Sequence, residues 1–297
     1  MPDNATPPTE KRHTLLSILV VVPAILYFLL FSSQSPFATV HNHFVIPMAA
    51  PQSALLIGAT GAVGKHLLQE LLTSPQYNRV GEFGRRVTAP EKLAGLDEAQ
   101  KAKLQQKAVD FEKIDQEGLK EGNWDIVFIT LGTTAKKAGS SANFEKIDRV
   151  YVINSAKAAQ SADPERKQRL IYVSSVGSNP NSSALYTHSK GLTERGLAAL
   201  GYSDTIVFRP GFLIHAERPD SRFLEDLAAP IATFAARFSN SIGIDVARLA
   251  KSIRVAGQLG SEKLPPQANV EKRESPSGKP YVAIGNRGSL ALADLDA

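Results

Sequence analysis

LLIGATGAVGKHLLQELL, Leu55 to Leu72, is the stretch that decides the fold. Leu55, Leu56 and Ile57 make a short apolar run of the kind that forms a buried strand. Gly58, Gly61 and Gly64 follow at three-residue spacing, and Leu67, Leu68, Leu71 and Leu72 then recur at helical spacing. A strand, a glycine turn and a helix in that order are the context in which such spacing marks a nucleotide site. The physical demand is closeness. A side chain on the turn would hold a pyrophosphate off the main chain, whereas glycines let N–H groups and the helix N-terminus face its charge. Gly58, Thr60, Gly61, Ala62, Val63 and Gly64 are therefore the candidate cofactor loop. The competing reading is a tight turn with no ligand.

Working outward, apolar runs alternate with helix-forming stretches. Val80 to Phe83 reads as a second strand and ends in Gly84-Arg85-Arg86. At this place in a dinucleotide fold an acid would bind the ribose 2′-hydroxyl of NAD, and arginine accommodates the 2′-phosphate of NADP. Two arginines stand there and no acid does, so NADPH is expected over NADH, with ordinary surface charges as the plain alternative. Glu91 to Gln106 reads as an exposed helix. Lys107 to Phe111 reads as a third strand, with Asp110 within reach of an adenine. Asp125 to Leu131 is a fourth strand, followed by Gly132 and Thr133 at the carboxyl edge where such sheets bind ligands. A helix over about Asn143 to Ala159 carries Asn154. Arg169 to Ser174 is a fifth strand and Thr205 to Phe208 a sixth, closed by Arg209, Pro210 and Gly211. Phe212 to Leu259 reads as loop and helices, Glu262 to Lys279 as a surface loop, and Tyr281 to Gly285 as a last strand. This alternation predicts an α/β fold with a doubly wound parallel sheet, in one domain over residues 53–297.

The chain has 297 residues, 43% of them hydrophobic, and a formal net charge of +5. Its lysines and arginines are scattered among acids, which argues against a nucleic-acid partner and suits an anionic small ligand or a membrane surface. No cysteine is present, which excludes disulfides, a thiolate nucleophile and cysteine metal sites. Residues 1–13 form a polar tail. Thr14 to Phe31, TLLSILVVVPAILYFLLF, carries no charge. A helix over residues 14–32 would be long enough to cross most of a bilayer, with residues 33–52 as linker. A cleaved signal peptide ending near Ser33 or Ala38, or an upstream start with Met48 as the natural first residue, are the rivals. Lys11 and Arg12 precede the span and bias its N-terminus to the cytosol.

Tyr186 and Lys190 are one helical turn apart, and of seven tyrosines only Tyr186 has lysine four positions on. Hydride transfer to a carbonyl leaves charge on oxygen, which a positioned tyrosine can neutralise by giving a proton. A lysine ammonium nearby favours the phenolate in the reverse direction and can hold the nicotinamide ribose. Ser175, at the end of the fifth strand, supplies a hydroxyl for the substrate oxygen, and Asn154 is a candidate for a proton-relaying water. His188 reads as a surface residue.

Together these residues resemble the short-chain dehydrogenase/reductase superfamily. More narrowly, LIGATGAVGKHLLQELL, Gly84-Arg85-Arg86, TLGTTAKKAG, FEKID with YVINSAKAA, YVSSVGS, YTHSKGLTE, RPGFL and IGNRGSLALA resemble fungal mitochondrial outer-membrane Rossmann proteins related to the human Tat-interacting oxidoreductase. The resemblance covers Ser53 to the C-terminus. It implies an NADP-binding domain with Ser175, Tyr186 and Lys190 in the catalytic places. It further implies Gly58, Gly61, Gly64, Arg85, Asp110 and Thr133 on the cofactor, and a mitochondrial outer-membrane location, with endoplasmic reticulum as the alternative. The apolar N-terminal extension and a long stretch from Arg86 to Gln106 depart from the pattern. Two functions follow: an NADP-dependent reductase or dehydrogenase acting on a small carbonyl or alcohol, or a non-catalytic NADP-binding regulatory or scaffold protein. An epimerase or dehydratase is a further variant. Phe212, Arg218 and Arg222 are expected on the substrate side.

Overall fold

A computed structural model describes residues 50–215 and 243–295, all within the second of two units, Met1–His43 and Phe44–Ala297. The candidate apolar span over 14–32, its flanking tail, and Arg218 and Arg222 lie outside the described residues. Among the described residues no helix is long and apolar enough to cross a membrane.

The glycine stretch folds as its pattern demands. β1 (Gln52–Ile57) leads through the turn into α1 (Gly64–Thr73), then β2 (Tyr77–Gly84). α2 (Glu98–Ala102), β3 (Leu104–Ala108) and β4 (Ile126–Ile129) follow. After a short α3 (Ala135–Ala138) come α4 (Ser141–Glu145), a π turn (Lys146–Val150) and α5 (Tyr151–Ala159). β5 (Arg169–Val173), α6 (Leu185–Ala199), β6 (Asp204–Arg209) and β7 (Phe212–Ile214) complete this part. Beyond it lie β8 (Gly243–Asp245), α7 (Val246–Leu259), β9 (Val270–Glu274), β10 (Pro280–Gly285) and α8 (Asn286–Ala293).

The main sheet has the order β3-β2-β1-β4-β5-β6-β10-β9, parallel throughout except for antiparallel β9 at one edge. Parallel strands covered on both faces read as unbroken apolar runs, and β4 is buried at all four positions. Successive residues serve opposite layers. Leu56, Phe128, Ile171 and Phe208 pack with Leu67 of α1 and Ile253 of α7. Leu55, Val127, Tyr172 and Val207 pack with Val152 of α5 and Leu197 of α6. Strand order reverses at β1, which has β2 on one side and β4 on the other, so the loops after β1 and β4 part and leave a crevice at the carboxyl edge.

Four local expectations are corrected. The helix over Glu91 to Gln106 is only a 3-10 turn (Pro90–Leu93) and α2, because Asp97 starts a separate helix by accepting from the Gln100 N–H at 2.8 Å in a capping box. The third strand is Leu104–Ala108, drawn into register with Val80–Gly84 of β2, and ends before Asp110. The loop over Glu262 to Lys279 contains β9, whose polar residues are tolerated at a sheet edge with little burial. The helix expected over Asn143–Ala159 is capped earlier, by Ser140, and is interrupted by the π turn.

Candidate functional site

The glycines of the turn do different jobs. Gly58 has φ +98°, and a Cβ there would stand 2.6 Å from the Leu131 main-chain nitrogen. Gly64 lets α1 press against the carbonyl of Gly58, where no Cβ fits. The Gly61 N–H donates to the Gly58 carbonyl at 3.0 Å, and the Thr130 hydroxyl donates to the same oxygen at 3.1 Å. Val63 turns its side chain into the core while its backbone opens α1, and Ala62 is half-buried.

Above this turn lies a cavity of about 360 Å³. Gly58, Thr60 and Gly61 line one side, Arg85 and Arg86 another, and Gly132 and Thr133 the end near β4, with no carboxylate side chain among the lining residues. Ala62, Val63 and Gly64 do not line it. A second cavity of about 400 Å³ adjoins it through Thr60 and Arg86, and Lys65 and Lys92 line it. Asp110 does not reach the cavity. Because β3 ends at Ala108, Asp110 caps the 3-10 turn Phe111–Gln116 and accepts from the Glu112 N–H at 3.0 Å. Its neighbour Phe111 lines the cavity instead, stacked on Tyr151 with ring centroids 5.2 Å apart.

The second half of the site is buried. Tyr186, on the first turn of α6, is half-buried and packs against Phe144, with centroids 5.9 Å apart. Lys190, one turn on, is buried. Its Nζ lies 3.1 Å from Asp148 Oδ1 and donates to the Tyr172 hydroxyl at 2.9 Å. Burial alone would strip its proton, but the Asp148 carboxylate beside it and the hydrogen bond to Tyr172 outweigh that and hold it as an ammonium. Tyr172 is pushed well above the ordinary tyrosine range, mainly by burial.

Ser175 hydrogen-bonds weakly, its hydroxyl donating to the Val176 carbonyl at 3.3 Å. Its neighbour Ser174 is committed, donating to Glu194 Oε1 at 2.5 Å inside a network with Arg209. The Pro210 carbonyl accepts from the Val176 N–H at 2.9 Å and so braces the loop carrying Ser175. His188 is half-buried rather than on the surface. Phe212 is half-buried in β7.

Asn154 is exposed and stands apart from this cluster. The polar residue that the helix delivers to Lys190 is Asp148, on the π turn, which the motif reading passed over. The signal was present: Phe144, Asp148, Val152 and Ala156 form a buried stripe at four-residue spacing, and an acid on such a stripe has to be paired.

A model of a family described as NAD(P)H-binding matches residues 58–233. The protein HTATIP2 of Rattus norvegicus is 37% identical over 177 residues, covering 60% of this chain and 69% of its own. The mitochondrial protein fmp52-1 of Aspergillus terreus is 33% identical over 195 residues, covering 64% of this chain and 78% of its own. Among solved structures, a short-chain type dehydrogenase/reductase from Mycobacterium ulcerans superposes with a TM-score of 0.52 at 14% identity, covering 82% of this chain and 92% of that one, a likeness of fold. The resemblance read from the motifs is thus borne out.

Proposed function

The chain belongs to the NAD(P)H-binding family, and on that premise we propose that it is an NADP-dependent oxidoreductase that reduces a small carbonyl or oxidises the matching alcohol. One observation carries the reading: Tyr186 and Lys190 share a face of α6, and Lys190 approaches Gly132, the end of the glycine-floored cavity. A Cβ on Gly132 would stand 3.5 Å from Lys190 Nζ. The residues fit a dinucleotide, since the cradle at Gly58 and Gly64 has no room for side chains. The exposed Arg85 and Arg86, with Lys65 and Lys92 in the adjoining cavity, favour a 2′-phosphate, hence NADPH over NADH. A bound dinucleotide would supply the hydride. Tyr186 gives its phenolic proton to the carbonyl oxygen, so the product is the neutral alcohol. The Ser175 hydroxyl hydrogen-bonds the same oxygen, and the Lys190 ammonium holds the ribose side of the crevice.

NADPH oxidation by the full chain, screened over aldehydes, ketones and quinones and repeated with NADH, tests this. Turnover that requires Tyr186 supports it, and turnover unchanged in Tyr186→Phe overturns it. A second reading, an NADP-binding scaffold, is favoured by the separateness of the nucleotide cavity, whose lining does not include Tyr186. NADPH-dependent partner capture that survives Tyr186→Phe, with no turnover in the screen, would select it. We further propose that residues 14–32 hold the protein at the mitochondrial outer membrane, in keeping with fungal relatives named mitochondrial. Release of a 33–297 variant from membranes that retain the full chain tests that anchor.

A further inference from the structure

Asp148 is fully buried. It lies on the π turn Lys146–Val150, and its carboxylate faces α6. Oδ1 lies 3.1 Å from Lys190 Nζ and accepts from the Thr133 N–H at 3.3 Å. Oδ2 is buried and has no hydrogen-bond partner among the described residues. Gly132 makes room for the pair, since a Cβ there would stand 3.1 Å from Oδ1. The Thr193 hydroxyl of α6, which donates to the Ser189 carbonyl at 2.8 Å, also lies 3.4 Å from the Asp148 main-chain carbonyl, so the π turn and α6 are in close contact here.

We propose that Asp148 is the positioning residue of the site: it fixes Lys190 in place and in its charged form, beside Gly132 and Thr133, where the reaction needs an ammonium. This rests on the reductase reading. The argument is electrostatic. A lysine this deeply buried loses its proton unless an anion stands beside it. The groups that face Lys190 are few: Asp148 from the π turn, the Tyr172 hydroxyl from β5, and Tyr186 on its own helix. Tyr172 is neutral across the working range, because burial pushes it well upward. Asp148 is therefore the one resident anion among these three. It also explains why an acid, rather than an amide, sits on an otherwise apolar stripe. An amide would satisfy the Thr133 N–H but leave the ammonium unpaired.

The test uses the full chain and the variants Asp148→Asn, Asp148→Glu, Lys190→Met and Asp148→Asn with Lys190→Met. In Asp148→Asn, kcat for carbonyl reduction is expected to fall about tenfold between about pH 6 and pH 9, as Lys190 loses its proton. The wild type should stay nearly flat over that range, with KM for the carbonyl changed little. Asp148→Glu should restore most of the wild-type profile. An Asp148→Asn profile parallel to wild type overturns the proposal, since a purely structural carboxylate would scale activity without moving its pH dependence. Denaturant unfolding gives a readout free of turnover. Losing both partners should destabilise far less than the two single losses added together. Additive losses overturn the pairing, as does a double variant that fails to fold when Asp148→Asn also fails. If the wild type reduces nothing in the screen, the reductase reading falls while the unfolding cycle still decides whether Asp148 exists for Lys190.

Discussion

At the nucleotide end of the crevice, the groups that face the cavity lie close together in sequence. Gly58, Thr60, Gly61, Arg85 and Arg86 come from one βαβ unit, and the arginines are exposed. At the other end, Asp148, Tyr172, Tyr186 and Lys190 come from three separate elements, and all but Tyr186 are buried. The first end offers a shaped backbone and exposed charge in water. The second works in a low-dielectric interior, where an uncompensated charge is costly and every polar atom needs a partner. Substitutions should therefore separate the two ends: one set should move cofactor affinity, the other turnover and alkaline stability.

The largest effect is expected from Tyr186→Phe. Loss of a positioned proton donor should lower kcat by about 10² to 10⁴, with the dissociation constant for NADPH nearly unchanged. Comparable losses in both quantities would erase the distinction between the ends. Next comes Gly64→Val. Its side chain would be forced into the Gly58 carbonyl, and overpacking of this kind costs about 1–3 kcal/mol or more, so Tm should drop by on the order of 5–10 °C. Gly61→Ala is the contrast, because its Cβ would meet the Gly58 carbonyl only at 3.2 Å. It should leave Tm almost in place and weaken NADPH binding, since Gly61 lines the cavity.

The buried end carries a pH signature. Lys190, Tyr172 and Tyr202 all have proton affinities raised by folding, Lys190 against its burial through Asp148, and the two tyrosines chiefly because they are buried. In each case the folded chain binds the proton more tightly than the unfolded one. Their contribution is therefore complete below the unfolded values, about 10 for tyrosine and 10.4 for lysine, and is lost as pH rises through the folded ones. Unfolding free energy should fall above about pH 10, by about 1.4 kcal/mol per pH unit for each group. Tyr202 is the cleanest probe, since burial alone shifts it and its hydroxyl donates to the Ala156 carbonyl at 2.6 Å. Tyr202→Phe should flatten the alkaline slope of denaturant unfolding by about one proton, even though it loses a hydrogen bond near neutral pH. On the acid side, Glu112 and Glu117 are held below their ordinary range by side-chain and backbone hydrogen bonds, but both lie at the surface, where water screens them, so the acid limb should be shallow. Smaller still is Arg85→Ala. An exposed arginine on a phosphate should be worth about tenfold in NADPH affinity and nothing in NADH affinity, read by paired titrations.

The same contrast explains what the sequence could convey. Strand, glycine turn and helix are local, so Leu55–Leu72 announced β1, the turn and α1 directly, and Gly84-Arg85-Arg86 could be placed by counting strands. Tyr186 and Lys190 were legible because a helix puts them on one face. Asp110 was misplaced because register with β2, not propensity, decides where β3 ends. Asp148 sits on a buried four-residue stripe that marks it as an acid in need of a partner, but the partner, Lys190, comes from another helix, and no local spacing rule names it.

Asn154 offers the smallest effect and the sharpest discrimination. It lies on the same helical run as Asp148, and motif position alone makes it the natural proton-relay residue. The π turn and the exposed face of α5 assign it no such part. Asn154→Ala should leave stability within about 0.5 kcal/mol of wild type, as for a surface substitution that removes no partner, and should leave kcat and its pH dependence untouched. Paired with Asp148→Asn, it asks whether the helix serves the site through its straight portion or through its interruption. A tenfold fall in kcat for Asn154→Ala alone would move the relay back to α5 and leave the buried pair as architecture only.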